Sequence, residues 1–132
     1  MIDHISVPVA DLEASRAFYE KVLAPLGMTL LVERESTVGF GKRYPEFWLN
    51  ARPRLKPLPP DSGHHVGLRA RSREAVLAFH QAALAAGGTD AGAPGKRQAA
   101  LTDYFGAFIF DLDGNKVEAL TFPAVPASST SE

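Results

Sequence analysis

The sequence predicts an α+β domain made of two copies of one βαβββ unit, related by a pseudo-twofold. Three observations carry that expectation. Shifting the chain by 61 positions lays His4-Ile5-Ser6-Val7 on His65-Val66-Gly67-Leu68. The same ungapped shift matches Ala14 with Ala75, Ala17 with Ala78, Phe18 with Phe79, Leu23 with Leu84 and Gly27 with Gly88. In each half an alternating, strand-like run precedes a run of helical spacing, and short strand candidates follow. A repeat of this length is too long for a solenoid unit and too short for a domain with its own core. Two half-domains are the natural reading, and a site between them is where chemistry is expected.

The elements follow in order. Residues 2–9 alternate, with Ile5, Val7 and Val9 on one face and His4, Ser6 and Pro8 on the other, as in a half-buried strand. Asp11 offers a helix N-cap and Glu13 suits the first turn. Leu12, Ser15, Phe18, Tyr19, Val22, Leu23 and Leu26 then recur at helical spacing until Gly27, and Pro25 predicts an irregular last turn. Strands are expected over 28–34, 36–41 and 45–50. Residues 51–63 carry four prolines without periodicity and read as a linker between module 2–50 and module 64–122. The second module opens with a strand at His65–Arg69 and a helix capped by Ser72, ending near Ala86. That helix is expected to bury Val76, Phe79, His80, Ala83 and Leu84. Strands are expected near 89–91, 105–111 and 116–122, the last two joined at Asp113-Gly114, a hairpin signal. One domain thus spans 1–122, and the polar tail 123–132 is expected to be disordered.

Bulk properties narrow the classes. Hydrophobic residues make up 45% and charged residues 22% of 132, the values of a globular protein with a real core. A formal charge of −1 offers no footprint for nucleic acid or an anionic membrane. The absence of cysteine removes disulfides, thiolate ligands and a cysteine nucleophile. No stretch reads as a signal peptide or as a bilayer span, so a cytoplasmic location is the default expectation.

Strand parity selects the candidate residues. With Ile5, Val7, Val66, Leu68, Val117 and Ala119 packed on the helices, His4, His65 and Glu118 should share the other sheet face. Two imidazoles and one carboxylate suit iron(II), manganese, nickel or zinc, with open positions left for substrate. Phe40, Trp48, Tyr104 and Phe105 are expected to supply an apolar wall, with Arg69 among the cations available for an anionic group. The turn residues Asp111 and Asp113 are accounted for by turn chemistry.

Asp3-His4-Ile5, the run Asp11 to Tyr19, Pro45 to Leu49, His65 to Leu68, Phe79 to Gly88 and Asp111 to Glu118 together resemble the vicinal oxygen chelate superfamily. That superfamily includes glyoxalase I, bleomycin-resistance proteins and extradiol dioxygenases. The resemblance implies paired modules whose curled sheets form a cleft, with His4, His65 and Glu118 at metal positions. It also implies a homodimer, or modules paired within one chain. Trp48 stands where glyoxalase I-like members carry a glutamate, and a tryptophan cannot ligate a metal. The expected function is therefore a metal-dependent small-molecule enzyme, a lyase, isomerase or dioxygenase. The alternative is a metal-free protein that sequesters a small aromatic compound or antibiotic.

Overall fold

The computed structural model describes residues 1–98 and 101–123. The tail expected to be disordered lies, from residue 124 onward, outside the described residues. The first half folds as β1 (Ile5–Val9), α1 (Leu12–Leu23), β2 (Thr29–Glu33), β3 (Thr37–Gly41) and β4 (Phe47–Ala51). The second half folds as β5 (Val66–Arg69), α2 (Arg73–Ala85), β6 (Thr89–Gln98), β7 (Asp103–Phe110) and β8 (Lys116–Thr121). Strand order is β1-β4-β3-β2 in one sheet and β5-β8-β7-β6 in the other, with the first pair parallel and the rest antiparallel. The repeat is therefore structural: β1 and α1 begin at Ile5 and Leu12, and β5 and α2 begin 61 residues later at Val66 and Arg73.

Local chemistry explains the boundaries. The Asp11 carboxylate accepts from the Ala14 amide and the Ser72 hydroxyl from the Ala75 amide, each satisfying a first-turn N–H. Pro25 sits in a single 3-10 turn (Ala24–Leu26) that closes α1, and Gly27 follows at φ 81°, a left-handed stop that a side chain would strain. After α2 the positive φ falls on Gly87. Gly88 serves a different need: a Cβ there would come within 3.0 Å of the Phe18 ring across the two halves. The later strands depart from the expected limits, since β6 runs to Gln98 instead of ending near 91 and is broken by register shifts around Gly92.

One face of each sheet packs on the helices, and a single core runs through both halves. Val7, Val9, Phe18, Tyr19, Val22, Leu23, Phe40, Phe47 and Leu49 meet Val76, Phe79, Ala83, Ala107, Ile109, Val117 and Ala119 there. α2 buries Val76, Phe79 and Ala83 as expected, but Leu84 is 43% exposed. It lies one position past the buried Ala83 and so rotates off the narrow apolar stripe. His80 lies between core and solvent, its Nε2 2.8 Å from Asp90 Oδ1.

A polar clasp also joins the halves. The buried Tyr19 hydroxyl donates to Asp111 Oδ2 at 2.6 Å, and Asn115 Nδ2 donates to the same oxygen and to the Pro8 carbonyl. Asp111 Oδ1 accepts from the Asp113 and Asn115 amides, while Asp113 Oδ1 accepts from the Ala10 amide. The β7–β8 turn is thus tied to the β1–α1 turn of the other half. Turn chemistry alone does not account for Asp111, because its second oxygen serves the opposite module.

Candidate functional site

The face of the second sheet turned away from α2 carries the titratable cluster. β5 runs parallel to β8 with Gly67 opposite Glu118, and β7 places Phe108 opposite Glu118 on the other side. His65, Gly67, Arg69, Lys116, Glu118, Leu120, Tyr104, Gly106 and Phe108 therefore share one surface by strand alternation. Glu118 is buried, and its Oε1 lies 3.2 Å from His65 Nε2. Its Oε2 is also buried and lacks a well-formed hydrogen bond among the described residues, with the Tyr104 hydroxyl its neighbouring donor. Two glycines make room for this carboxylate. A Cβ on Gly67 would stand 3.3 Å from Oε1, and one on Gly106 would stand 3.1 Å from Oε2. A carboxylate whose second oxygen is poorly satisfied is costly to bury.

Aromatic groups frame the pair. The His65 ring meets Phe108 edge-on at 5.3 Å, and the Tyr104 ring lies 5.9 Å from that of Phe122. Burial, followed by the neighbouring Glu118 carboxylate, raises the Tyr104 phenol above its ordinary pKa, so it keeps its proton at neutral pH. Arg69 lies over Phe122 at 4.8 Å.

The first sheet presents the matching surface. Ser6 is opposite Trp48 on β4, and Gly39 of β3 is opposite Trp48 on the other side. Trp48 occupies in this sheet the position of Glu118 in the other. The indole rests on Gly39, where a Cβ would approach it to 3.0 Å, and Arg34 lies 5.8 Å from its centroid. His4 precedes β1, is exposed, and has Nδ1 2.7 Å from Asp3 Oδ1.

Within one chain, then, His65 and Glu118 come together and His4 stays apart. Among the described residues no group of three His, Cys, Asp or Glu side chains is placed to hold one ion. Two members of the expected apolar wall need correction. Phe40 is fully buried in the core, 6.4 Å from Tyr19, because its partner in register, Phe47, faces the helix. Phe105 also turns toward the helix side, opposite Lys96 and under Arg73 at 4.9 Å. It lines a cavity of about 570 Å³ together with Tyr104, Phe122 and the cations Arg71, Arg73 and Lys96, so this cavity reaches the Tyr104–Phe122 pair at the end of the sheet. Phe108 and Gly106 escaped sequence reading, although their alternation with Ala107 and Ile109 is the signal that would have found them.

Comparison with known proteins agrees with this geometry. The model of the glyoxalase/bleomycin resistance protein/dioxygenase superfamily matches residues 1–119. A glyoxalase/bleomycin resistance protein from Albidiferax ferrireducens is 34% identical, with a TM-score of 0.81 over 92% of this chain and 98% of that one. The fosfomycin resistance protein FosX from Listeria monocytogenes is 15% identical, with a TM-score of 0.66 over 93% of each chain. A glyoxalase/bleomycin resistance protein/dioxygenase from Alicyclobacillus acidocaldarius is 16% identical, with a TM-score of 0.67 over 94% of this chain and 92% of that one; at such identities the likeness concerns the fold. No curated protein matches the sequence. No helix among the described residues is long and apolar enough to cross a membrane. On the family match, the 34% relative and the twice-repeated βαβββ topology, the chain belongs to the glyoxalase/bleomycin resistance protein/dioxygenase superfamily.

Proposed function

We propose that the chain is a metal-dependent enzyme acting on a small substrate with neighbouring oxygens, and that it works as a homodimer. The observation that carries this reading is the buried Glu118 carboxylate, with one oxygen beside His65 and the other lacking a well-formed hydrogen bond among the described residues. The donor set fits a divalent ion. Two ligand atoms held about 2.1 Å from one ion stand roughly 3.0–3.4 Å apart at octahedral to tetrahedral angles, and His65 and Glu118 are 3.2 Å apart. His65 and Glu118 would hold the ion, and His4 of a second copy would complete the set. Both β1 and β5 are outermost strands with a free edge, and each histidine stands at the start of its edge strand. Laying the bare face of one copy's first sheet against the second sheet of another would bring His4 and Trp48 over His65 and Glu118.

A bound divalent ion would polarise two neighbouring substrate oxygens as a Lewis acid. The chain's own residues supply the rest. Trp48 would close the site with an apolar ring and exclude water, Arg69 would orient the substrate, and Tyr104, protonated at neutral pH, would offer a hydrogen bond beside Glu118.

The test is metal content in protein purified without an affinity tag, after loading with iron(II), manganese, nickel or zinc. About one ion per chain is expected, as for a single site of this donor set. It should be lost in Glu118→Gln and His65→Ala and weakened in His4→Ala, in protein that sediments as a dimer. A second reading, a metal-free protein sequestering a small aromatic compound, is favoured by Trp48 at the position equivalent to Glu118. It replaces the first if no ion binds on loading.

A further inference from the structure

We infer that the bare face of the second sheet recognises its substrate through an anionic group, with Arg97 as a preorganised anchor and Lys116 beside it. This inference rests on the proposal that this face is the substrate site, and it names the substrate class. That class is a small molecule with an apolar body and a carboxylate, phosphonate or phosphate.

The argument starts from the glycines of β6. Gly92 and Gly95 lie where a Cβ would stand 3.3 Å from Arg97 Nη2 and 3.2 Å from Nη1, respectively. The guanidinium therefore lies against Gly92 and Gly95, where any side chain would crowd it. Its Nη2 donates to the Ala93 carbonyl and its Nη1 to the Lys96 carbonyl, which fixes the plane of the fork. The guanidinium stands 5.8 Å from the Phe108 ring, which also flanks Gly92. Lys116 Nζ approaches the same ring to 4.9 Å, and that ring touches His65 and is opposite Glu118 in register. Two cations thus converge on one aromatic ring beside the acid–imidazole pair.

Neither cation is held in a salt bridge among the described residues, and Asp90 reaches Arg97 only through longer-range Coulombic attraction. Among the described residues, the salt bridges involve Asp3, Glu20, Glu33, Glu118 and Asp90, and none uses Arg97, Lys116 or Arg69. The face carries these three cations against one carboxylate, Glu118. A guanidinium has five N–H donors in a rigid fork, so two backbone bonds leave donors for a ligand. Holding that fork in advance lowers the entropy lost on binding. A surface arginine placed only for solubility needs neither flanking glycines nor two carbonyl tethers. Phe108 supplies the apolar contact next to the anion, and its position in register with Glu118 sets the reacting end of the ligand beside the carboxylate.

The test titrates the full-length protein with phenylphosphonate and with its neutral dimethyl ester, at low ionic strength. The anion should bind at least about tenfold tighter than the ester, the scale of one charge-assisted contact. Arg97→Gln and Lys116→Gln should each abolish most of that preference. Lys21→Gln, at the exposed end of α1 in the other half, should leave it intact. Unchanged thermal unfolding and metal uptake in Arg97→Gln would separate loss of the anchor from loss of the fold. Equal binding of anion and ester, no saturable binding of the anion, or a preference that survives Arg97→Gln overturns the inference. A preference that depends on Arg97 in protein that takes up no metal supports the inference and removes the enzyme reading. Metal uptake without an anion preference does the reverse.

Discussion

Tyr19→Phe deletes one hydroxyl and should loosen the joint between the two halves. The phenol is fully buried and donates to Asp111 Oδ2 at 2.6 Å, across 92 residues of chain. Asn115 Nδ2 still serves that oxygen at 2.8 Å, so the carboxylate is weakened and not orphaned. A hydrogen bond to a charged group contributes about 1.5–3 kcal/mol, and a neutral one about 0.5–1.5 kcal/mol. Burial raises the Asp111 pKa, while the bonds from Tyr19, Asn115 and the Asp113 and Asn115 amides pull it back. The net direction is upward, so between its unfolded and folded values the native chain binds more protons than the unfolded one. Stability therefore falls as pH rises through that window, and it is least affected by this group below it. Removing the Tyr19 hydroxyl raises Asp111 further and widens the window. Urea denaturation should show Tyr19→Phe losing about 1.5–3 kcal/mol near neutral pH, with the loss shrinking toward the neutral-bond range as the acid protonates. The tyrosine itself is pushed well above 10 and does not titrate in this range. A loss below about 0.5 kcal/mol at neutral pH, or one that grows toward acid, would refute the clasp.

Two further outcomes follow from packing. Phe18 and Phe79 are repeat-equivalent and buried at 3% and 0% exposure, so Phe→Ala at either should cost about 3–5 kcal/mol by chemical denaturation; a loss below 1 kcal/mol at either would deny its place in the core. Gly106→Ala would place a methyl 3.1 Å from Glu118 Oε2, 3.0 Å from the Tyr104 ring and 3.2 Å from the Ala119 carbonyl, and should cost about 1–3 kcal/mol. Wild-type stability in that variant would mean the carboxylate is not seated against β7.

The repeat was legible because its strongest signals are local. A capping Asp11 or Ser72, a phenylalanine seven residues later and a closing glycine set each helix without reference to anything distant. Parity was equally reliable within one strand pair, and it brought His65 and Glu118 to one face. The same parity holds in the aromatic wall, where Phe40 alternates with Gly39 beneath Trp48, and Phe105 with Tyr104, so pattern alone assigns both phenylalanines to the helix side. Long-range packing was the part beyond reach. The sequence does not say that Tyr19 and Asp111 will meet, and their bond helps set how the modules sit back to back. His4 accordingly stays away from its expected partners within one chain. A second aspartate, Asp111, in a hairpin that already has Asp113-Gly114 for turn chemistry was the available clue.

The two halves keep a common frame and differ where it faces outward. Buried positions are conserved in kind: Phe18 with Phe79, Val22 with Ala83, Phe40 with Ile109 and Phe47 with Val117 all remain apolar. On the bare faces the same register positions diverge, with Trp48 against Glu118, Gly39 against Phe108 and Ser6 against Gly67. Selection for folding alone would have no reason to bury a carboxylate with one poorly satisfied oxygen in one copy and lay an indole on a glycine in the other. In the proposed dimer one face would offer shape and exclusion of water, and the other charge and proton chemistry. Because the helices fill the space between the sheets within a chain, bringing these complementary faces together is what the proposed dimer would supply. A variant that stays monomeric while keeping its fold should therefore lose metal affinity, even though His65 and Glu118 remain 3.2 Å apart.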